Sequence, residues 1–470
     1  MAAEMAFELA LQQLLERVMP DYQSLTECRQ LTAGASQETY RITYQSEQGE
    51  VCMALRRAQP TAATDSTVGG ISLESEARLF ELAVMHDIPS PQVIYLLTPS
   101  DQLGSGFLMN WLEGETLGHR INRSQELDDV RPQLARQCGE ILGKIHQIDW
   151  QAQALDKMLE RITTEDLVND TWQRYRDLNV PVPMIDFTWR WLLQNLPIQQ
   201  RTTLVHSDFR NGNLIVNPQG IHAVLDWELA HIGDPIQDLG WLCVNSWRFG
   251  NRDAEVGGFG QAEELFAGYK SVTGIDVDPN DFTFWQVFGS FWWSITTLAM
   301  ANTWRTGEAP SLERPVIGRR SSEAQMDCVN LIIPGSFEVP QEQALDQGTQ
   351  LPMPAELLSG VAGFLKNDVS SQLDSHAGFL AKVAANSLTI ARRELQYGST
   401  LTTAEEKRLR SLLGSDEIFD ACIDQLRWLL VERLRQGLSL HTEGLVEHLR
   451  YTVAGQLFID QPRYSALSAS

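Results

Sequence analysis

The chain has 470 residues, of which 43% are hydrophobic and 21% are charged, a composition ordinary for a globular protein that excludes wholesale disorder. Asp and Glu number 61 against 37 Lys and Arg, so the formal net charge is −24. A chain this acidic repels nucleic-acid phosphates and anionic lipid, and no long basic run offsets the repulsion, so we expect neither nucleic acid nor a membrane as a partner.

The N-terminal segment predicts a short amphipathic helix, not an export signal. Its apolar residues from Phe7 to Val18 fall on one helical face, and Glu4 and Glu8 stand where a signal peptide needs positive charge. The six cysteines are at least 24 residues apart and include no CxxC pair, which is typical of reduced thiols. We therefore expect a cytoplasmic protein.

The next part of the chain predicts strands with one helix. Residues 31–56 indicate strands around a small-residue turn, 57–71 a polar loop, 72–86 a helix, and 93–97 and 106–111 further strands. From about 127 to 200 the pattern is helical, whereas 203–230 alternates apolar couplets with polar turns, as short strands carrying loops do.

The pattern again predicts helices from 236 to 330. This region includes an uncharged stretch at 282–304 that is long enough to cross a bilayer. Because polar residues are spread around that helix and no basic cluster flanks it, we expect a buried core helix there. Residues 334–354, with four prolines and several glutamines, predict a polar linker. Beyond it, four apolar stripes between 355 and 458 predict a bundle of about four helices.

Two sequence segments are the most informative about chemistry: HSDFRNGN at 206–213 and LDWE at 225–228. Phosphoryl transfer needs a carboxylate to orient the attacking hydroxyl, and oxygen ligands for the magnesium on the phosphates. An HxDxxxxN loop followed by a strand-end Asp supplies both. Asp208 and Asn213 are five residues apart, and Asp226 follows Asn213 by 13, as in the catalytic loop of kinases.

These segments, with DLGWL and the upstream AGASQETY, MALRR and GFLMNWLEGETL, resemble the aminoglycoside phosphotransferase superfamily of small-molecule kinases. The branch they resemble is that of the kinase-like domains related to those fused to acyl-CoA dehydrogenases. The resemblance covers roughly 5–330, and the C-terminal bundle resembles a helical domain of unassigned function often attached to such kinases.

The resemblance implies an α+β, bilobal protein-kinase-like fold followed by an all-α bundle. The implied domains are a phosphotransferase domain at 1–333, with an N-lobe at about 20–112 and a C-lobe at about 113–333, and a helical domain at 355–470. It also implies ATP and Mg²⁺ as cofactors.

The resemblance implies a role for each residue of the catalytic segment. Asp208 would be the catalytic base, Asn213 and Asp226 the magnesium ligands, and His206 and Asp238 structural supports of the loop. Arg56 stands where kinases place the phosphate-anchoring Lys, with Glu76 as its ion-pair partner. The remaining implied contacts are Arg210 with the substrate and, with the nucleotide, Gly34, Ala35, Ser36, Met109 and Trp111. His119, His146 and His231 lack companions at metal spacing and are assigned no role.

Two departures from the general kinase pattern bear on function. Arg56 replaces Lys, and we expect this change to alter how the phosphates are anchored. A guanidinium donates from several nitrogens in a planar fork, whereas an ammonium is a single point charge. Trp227 and Glu228 replace the Phe-Gly that follows the metal-binding Asp of protein kinases, which argues against a protein substrate.

The predicted activity is ATP- and magnesium-dependent phosphorylation of a small-molecule hydroxyl. Kinship with the dehydrogenase-linked branch favours a hydroxyacyl thioester or another metabolic alcohol. One alternative is an aminoglycoside or choline-type kinase, whose cationic substrate would suit the acidic chain. Another alternative is a nucleotide-binding pseudokinase that acts as an interaction protein. Whichever function holds, we expect the C-terminal helices to mediate oligomerisation or docking.

Overall fold

The computed structural model describes residues 2–33, 37–58, 70–198, 201–308, 311–337, 352–414 and 420–467. Its strands are β1 (Tyr22–Ala33), β2 (Gln37–Ser46), β3 (Gly49–Ala58), β4 (Val93–Leu96), β5 (Ser105–Asn110), β6 (Thr203–Val205), β7 (Leu214–Asn217), β8 (Gly220–Val224) and β9 (His231–Gly233). Its α-helices are α1 (Ala2–Val18), α2 (Leu73–Met85), α3 (Gly118–Ile121), α4 (Arg131–Ile145), α5 (Thr164–Asp177), α6 (Pro183–Gln194), α7 (Ile236–Leu242), α8 (Ala262–Thr273), α9 (Pro279–Arg305), α10 (Glu313–Arg319), α11 (Ser321–Ile332), α12 (Pro354–Phe364), α13 (Ser375–Leu413), α14 (Ile423–Arg435) and α15 (Leu445–Asp460).

Residue contacts divide the chain into two compact units. The first unit is Met1–Thr163, Gln199–Cys243 and Ala254–Asp278, and the second is Thr164–Ile198, Val244–Asp253 and Pro279–Ser470. The second unit therefore groups helices that precede position 334 with the helices that follow 354. The predicted division at 334–354 stays a prediction, since most of it, 338–351, lies outside the described residues.

The first unit contains an antiparallel sheet in the order β1-β2-β3-β5-β4. The predicted N-terminal helix is present as α1, and its apolar face packs on this sheet. The shared core includes Leu11, Leu14, Leu15, Ile42, Tyr44, Leu55 and Leu108. Strand β1 begins at Tyr22, nine residues before the first predicted strand. The sequence did not indicate its first part because β1 lies at the sheet edge, where its side chains are half-buried or exposed and show no apolar alternation.

The short strands predicted at 203–230 are also in the first unit. Strand β7 pairs antiparallel with β8, and β6 pairs antiparallel with β9, which lies just beyond the predicted range. Two polar connections leave these pairs, one between β6 and β7 and one after β8, and they carry the residues singled out by the sequence.

The second unit is helical. The stretch predicted as a buried core helix lies in α9, of which twelve residues are buried, among them Phe284, Trp285 and Phe291. Among the described helices, none combines the length and the sustained hydrophobicity that crossing a bilayer requires. The C-terminal helices α12 to α15 match the predicted number, but Leu357, Val361 and Phe364 of the α12 stripe are 51–58% exposed and do not form core.

Candidate active site

The predicted catalytic loop, residues 206–213, connects β6 to β7 in the first unit. Both strands are buried, which fixes the two ends of the loop. Gly212 has φ +118°, and a Cβ there would lie 2.6 Å from Arg210 Nη1. A side chain at 212 would therefore be strained and would push on an arginine beside the loop carboxylate.

The carboxylate of Asp208 is buried and held by three side chains. Its Oδ1 accepts hydrogen bonds from Arg210 Nε and from Trp241 Nε1, both at 2.9 Å. Its Oδ2 accepts one from Asn213 Nδ2 at 2.5 Å. Burial raises the pKa of Asp208 above its ordinary value, although the positive charge of Arg210 opposes the rise.

The side chain of Asn213 is oriented by the same loop. Its Nδ2 also donates to the backbone carbonyl of Asp208 at 3.0 Å, so both amide hydrogen bonds point towards Asp208. The amide oxygen is thus directed away from Asp208. Asp226 follows β8 with φ 66°, and its side chain is 27% exposed.

Arg56 joins the sheet to this site. From β3 its Nε lies 2.9 Å from Glu76 Oε2, and its Nη2 donates to Asp226 Oδ1 at 2.7 Å. The predicted ion pair between Arg56 and Glu76 is therefore present, and the same guanidinium also contacts the predicted magnesium ligand. Glu228 Oε2 lies further away, at 3.6 Å from Nη2.

The Arg56–Glu76 pair is buried, which sets its electrostatics. Glu76 lies in the first turn of α2 and is 1% exposed. Burial raises the pKa of its carboxyl to about 7, against the opposing effect of Arg56. Burial alone would lower the pKa of Arg56, but the carboxylates of Glu76 and Asp226 outweigh it, so the pKa is raised and the guanidinium stays charged.

Asp238, fully buried at the start of α7, organises the loop backbone. It accepts hydrogen bonds from the backbone N–H groups of His206 (2.9 Å) and Ser207 (2.7 Å). His146 Nε2 lies 3.0 Å from the same carboxylate. Burial would raise the pKa of Asp238, but the contact with His146 outweighs it and the pKa is lowered, so the loop is held by a charged group.

His206 is also buried, and within the described residues its ring forms hydrogen bonds to backbone groups alone. Its Nδ1 accepts from the Asp208 N–H at 3.3 Å, and its Nε2 lies 3.1 Å from the Leu225 carbonyl. The bonding pattern assigns the proton to Nε2, and burial lowers the pKa of the ring, so it is neutral. His206 thus ties the loop of Asp208 to the segment that leads into Asp226.

The residues predicted to contact nucleotide are only partly described. Gly34, Ala35 and Ser36 lie outside the described residues. Met109 is buried in β5 opposite Ala54 of β3. Trp111 follows β5; its indole Nε1 donates to Glu113 at 2.7 Å, and the Arg41 guanidinium lies 5.3 Å from its ring centroid.

Three residues at the site were missed in the sequence. Trp241 donates to Asp208, His146 contacts Asp238, and Tyr269 Oη lies 3.1 Å from His146 Nδ1. Trp241 had a usable signal, since it stands three residues after Asp238 and therefore on the same helical face. His146 and Tyr269 had none, because they come from helices distant in sequence. The functional roles of all these residues stay predictions.

Comparison with known proteins gives the family. Residues 27–275 match the family model described as "Phosphotransferase enzyme family". Residues 371–464 match the model described as "Domain of unknown function (DUF6285)". The first match covers more than half of the chain, so the chain belongs to the phosphotransferase enzyme family.

Curated relatives carry the names of acyl-CoA dehydrogenase proteins. The chain is 30% identical over 283 residues to acyl-CoA dehydrogenase family member 10 of Mus musculus, covering 56% of this chain and 25% of that protein. It is 24% identical over 304 residues to acyl-CoA dehydrogenase family member 11 of Rattus norvegicus, covering 61% of this chain and 38% of that protein. The chain thus spans less than two fifths of the length of these relatives.

Among solved structures, a candidate aminoglycoside phosphotransferase from Ralstonia eutropha matches with a TM-score of 0.57 at 19% identity, covering 69% of this chain and 97% of that one. This likeness shows the fold. The predicted fold class, an antiparallel N-lobe sheet with a helical C-lobe of the protein-kinase type and further helices after it, is confirmed. The predicted kinship with the dehydrogenase-linked phosphotransferase branch is also confirmed.

Proposed function

We propose that this chain transfers the γ-phosphoryl group of ATP to a hydroxyl of a small molecule, with Mg²⁺ at Asn213 and Asp226. The observation that carries the proposal is the arrangement of Asp208, which bonds Asn213 directly and is held by Arg210 and Trp241. A carboxylate fixed in this way can orient one hydroxyl, and orientation is most of what phosphoryl transfer asks of a protein.

The residues present fit a hard divalent cation. Asn213 is oriented with its amide oxygen away from Asp208, and Asp226 offers a partly exposed carboxylate. Magnesium prefers such oxygen ligands, usually takes only one or two from protein, and completes its shell with water and phosphate. The bound ion would neutralise charge on the phosphates.

In the proposed reaction the acceptor O–H donates its hydrogen bond to Asp208. As the acceptor oxygen forms a bond to the γ-phosphorus, the bond between that phosphorus and the β–γ bridging oxygen breaks, and the proton passes to the Asp208 carboxylate. Arg56, held by Glu76, keeps further N–H groups for phosphate oxygens, the geometry for which guanidinium is suited.

We further propose that the acceptor is a hydroxyacyl thioester or a related metabolic alcohol. The support is the similarity to proteins named as acyl-CoA dehydrogenase family members, which places the relatives of this domain beside acyl-thioester chemistry. The alternative of an aminoglycoside or choline-type acceptor rests on likeness of fold to a solved protein of 19% identity, which is weaker support than the 30% identity to the dehydrogenase-named relative.

The test is ATP-dependent ADP formation and phosphate transfer to a panel of hydroxyacyl-CoA thioesters, choline and an aminoglycoside. The proposal expects turnover with at least one hydroxyacyl thioester, lost in Asp208→Asn. Turnover with choline or the aminoglycoside alone would overturn the choice of acceptor. Absence of phosphotransfer to every hydroxyl, with ATP binding intact, would favour the pseudokinase alternative.

A further inference from the structure

A cavity of about 640 Å³ lies within the second unit. It is lined by the start of α6 and by residues of α10, α11, α13, α14 and α15, and none of the candidate active-site residues is among them. Small-molecule ligands occupy pockets of about 300–1,000 Å³, so the volume suits a metabolite.

One cation in this lining, Arg408, has no carboxylate in direct contact among the described residues, although nearby Glu405 and Glu447 oppose the lowering of its pKa and its guanidinium lies 5.7 Å from the Tyr451 ring centroid. Arg408 of α13 donates from Nη2 to Thr452 Oγ1 at 3.3 Å, while its Nε is buried without a hydrogen-bond partner. Glu405, one turn earlier on α13, is occupied by Arg427, which approaches it at 2.9 and 2.6 Å. Over the residues that the structure describes, no carboxylate forms an ion pair with Arg408, and burial lowers its pKa. A partly desolvated guanidinium without an anion is unfavourable.

The other cations of the lining are already compensated. Arg319 donates to Glu394 at 2.9 Å and to Asp460 at 3.1 Å, and Arg427 is bound to Glu405. Positive charge available to a ligand is therefore confined to Arg408.

A buried histidine adds unpaired donor and acceptor capacity. His448 lines the cavity from α15, is 0% exposed, and finds no hydrogen-bond partner at either ring nitrogen in the described part of the chain. It stands one helical turn before Thr452, the residue that Arg408 contacts. Burial, with the charges of Arg408 and Arg427, lowers the pKa of His448 to about 3, so the ring is neutral. Buried polar groups are normally paired, so these two ring nitrogens are open to a partner that enters the cavity.

We propose that this cavity binds a small-molecule anion whose carboxylate or phosphate group is held by Arg408 and His448. The guanidinium supplies the charge and two-pronged donation, and the neutral imidazole supplies a further N–H. The site does not depend on the proposed phosphotransfer, because none of its residues belongs to the candidate active site.

The test uses inorganic phosphate and malonate as separate probes with the full-length chain, in calorimetric titration and thermal unfolding. Wild type should bind at least one probe and unfold at a higher temperature in its presence. Arg408→Met should weaken that binding roughly 10–100-fold, the loss expected for a charge-assisted hydrogen bond, and Arg408→Lys less so.

The matched control is Arg410→Met on the same helix, since Arg410 bonds Glu406 and the Ala421 carbonyl and does not line the cavity. It should bind the probes as wild type does. A response to phosphate alone indicates a phosphorylated ligand, and a response to malonate alone a carboxylate. The proposal is overturned if neither probe binds, or if binding is lost in Arg56→Ala and retained in Arg408→Met. If Arg408→Met does not fold, the same titrations are made with His448→Phe and Thr452→Val, which should bind the probes more weakly than wild type. Unchanged probe binding in both variants overturns the proposal.

Discussion

Arg56 has its guanidinium between carboxylates from two different elements, Glu76 of α2 and Asp226 beyond β8. A lysine has one nitrogen and could not reach two carboxylates in this forked way. The substitution of Arg for the usual kinase Lys is therefore accommodated by geometry, with Glu76 holding one side of the fork. The contact with Asp226 also shows that Arg56 reaches the place where the proposed metal would sit.

We predict that Arg56→Ala lowers ATP binding or turnover and also destabilises the fold, by about 3–5 kcal/mol, because Glu76 is left buried without its cation. Removing a catalytically placed charge costs a few kcal/mol of transition-state stabilisation, about 10²–10³ in rate. Arg56→Lys should be milder, because the charge is kept. ATP kinetics and thermal unfolding of the two variants measure this.

The control for Arg56→Ala is Arg78→Ala on α2, whose partner Glu81 is 48% exposed and whose ion pair should be worth about 0–1 kcal/mol. If Arg56→Ala had wild-type ATP kinetics, Arg56 would not anchor the phosphates. That result would favour the hypothesis of a nucleotide-binding pseudokinase.

A second residue-scale prediction concerns Asp327, which is buried in α11 and accepts hydrogen bonds from Tyr464 Oη at 2.8 Å and Asn245 Nδ2 at 3.0 Å. Burial raises the pKa of its carboxyl to about 7. The folded state therefore holds a proton that the unfolded state releases near pH 4, so the contribution of Asp327 to stability is present below pH 4 and is lost as the pH rises towards 7.

Asp327→Asn should flatten this pH dependence, by roughly 1–4 kcal/mol between about pH 4 and pH 7. Denaturant unfolding of the variant and wild type at both pH values gives the difference. Asp276→Asn, at a side chain that is 80% exposed, should follow wild type. Parallel pH curves for Asp327→Asn and wild type would contradict the assignment.

At the scale of elements, α4 and α8 of the first unit cross so closely that their backbones touch at glycines. A Cβ at Gly139 would lie 2.0 Å from the Leu265 carbonyl oxygen, and one at Gly268 would lie 2.1 Å from the Arg136 carbonyl oxygen. The crossing brings Tyr269 of α8 to His146 at the end of α4, and His146 contacts Asp238. The packing of these two helices is thus linked to the 206–213 loop through three side chains, those of Tyr269, His146 and Asp238.

We predict that Gly139→Ala destabilises the protein by about 1–3 kcal/mol, although alanine favours helix, because the new methyl group meets backbone atoms that cannot turn aside. Turnover should fall with it, since α8 carries Tyr269. Gly363→Ala on α12, where a Cβ meets nothing within 4 Å, should instead stabilise by about 0.5–1 kcal/mol. Equal unfolding temperatures for the two variants would contradict this account of the crossing.

The elements that the sequence predicted well are those with strong periodicity. The stripe on α4 and the apolar couplets of β6 to β8 predicted elements that are present. Strand β1 was mostly missed because an edge strand needs no buried face, and the α12 stripe lies exposed because periodicity does not say whether a partner covers it.

At the scale of the molecule, the second unit contains helices from both sides of the predicted linker. Asp186 of α6 is fully buried and accepts from Arg435 Nε of α14 at 2.8 Å, and Asp327 accepts from Tyr464 near the C-terminus. A buried carboxylate that loses its cation costs about 3–5 kcal/mol. The two sides of the linker are therefore bound by more than the chain between them.

We predict that limited proteolysis cuts first within 334–354. The sequence of this segment is polar and contains four prolines, so it has few apolar side chains to bury. Because of the Asp186–Arg435 contact, the two fragments should stay together in native gel filtration and separate in denaturant. Arg435→Met should weaken that association. First cuts inside 203–230 would show that the predicted boundary is wrong.

The spacing of residues in the sequence predicted most of the candidate site. It did not predict the buried residues that contact the site from other helices. Asp208 and Asn213 are five residues apart, and the spacing that suggested their joint role corresponds to a direct hydrogen bond. Arg56 and Glu76 were paired correctly through family likeness. The contacts of His146 and Tyr269 depend on tertiary packing between α4 and α8, and no pattern in one sequence encodes that crossing.

Phosphotransfer by Asp226→Asn, measured as a function of magnesium, tests the proposed metal site most directly. Wild-type turnover should need magnesium, and the variant, which lacks the proposed metal-binding charge, should be inactive while its unfolding temperature is unchanged. Asp276→Asn serves as the control for loss of one carboxylate from an acidic chain. Wild-type turnover in Asp226→Asn at ordinary magnesium would contradict the assignment of the metal site and with it the proposed reaction.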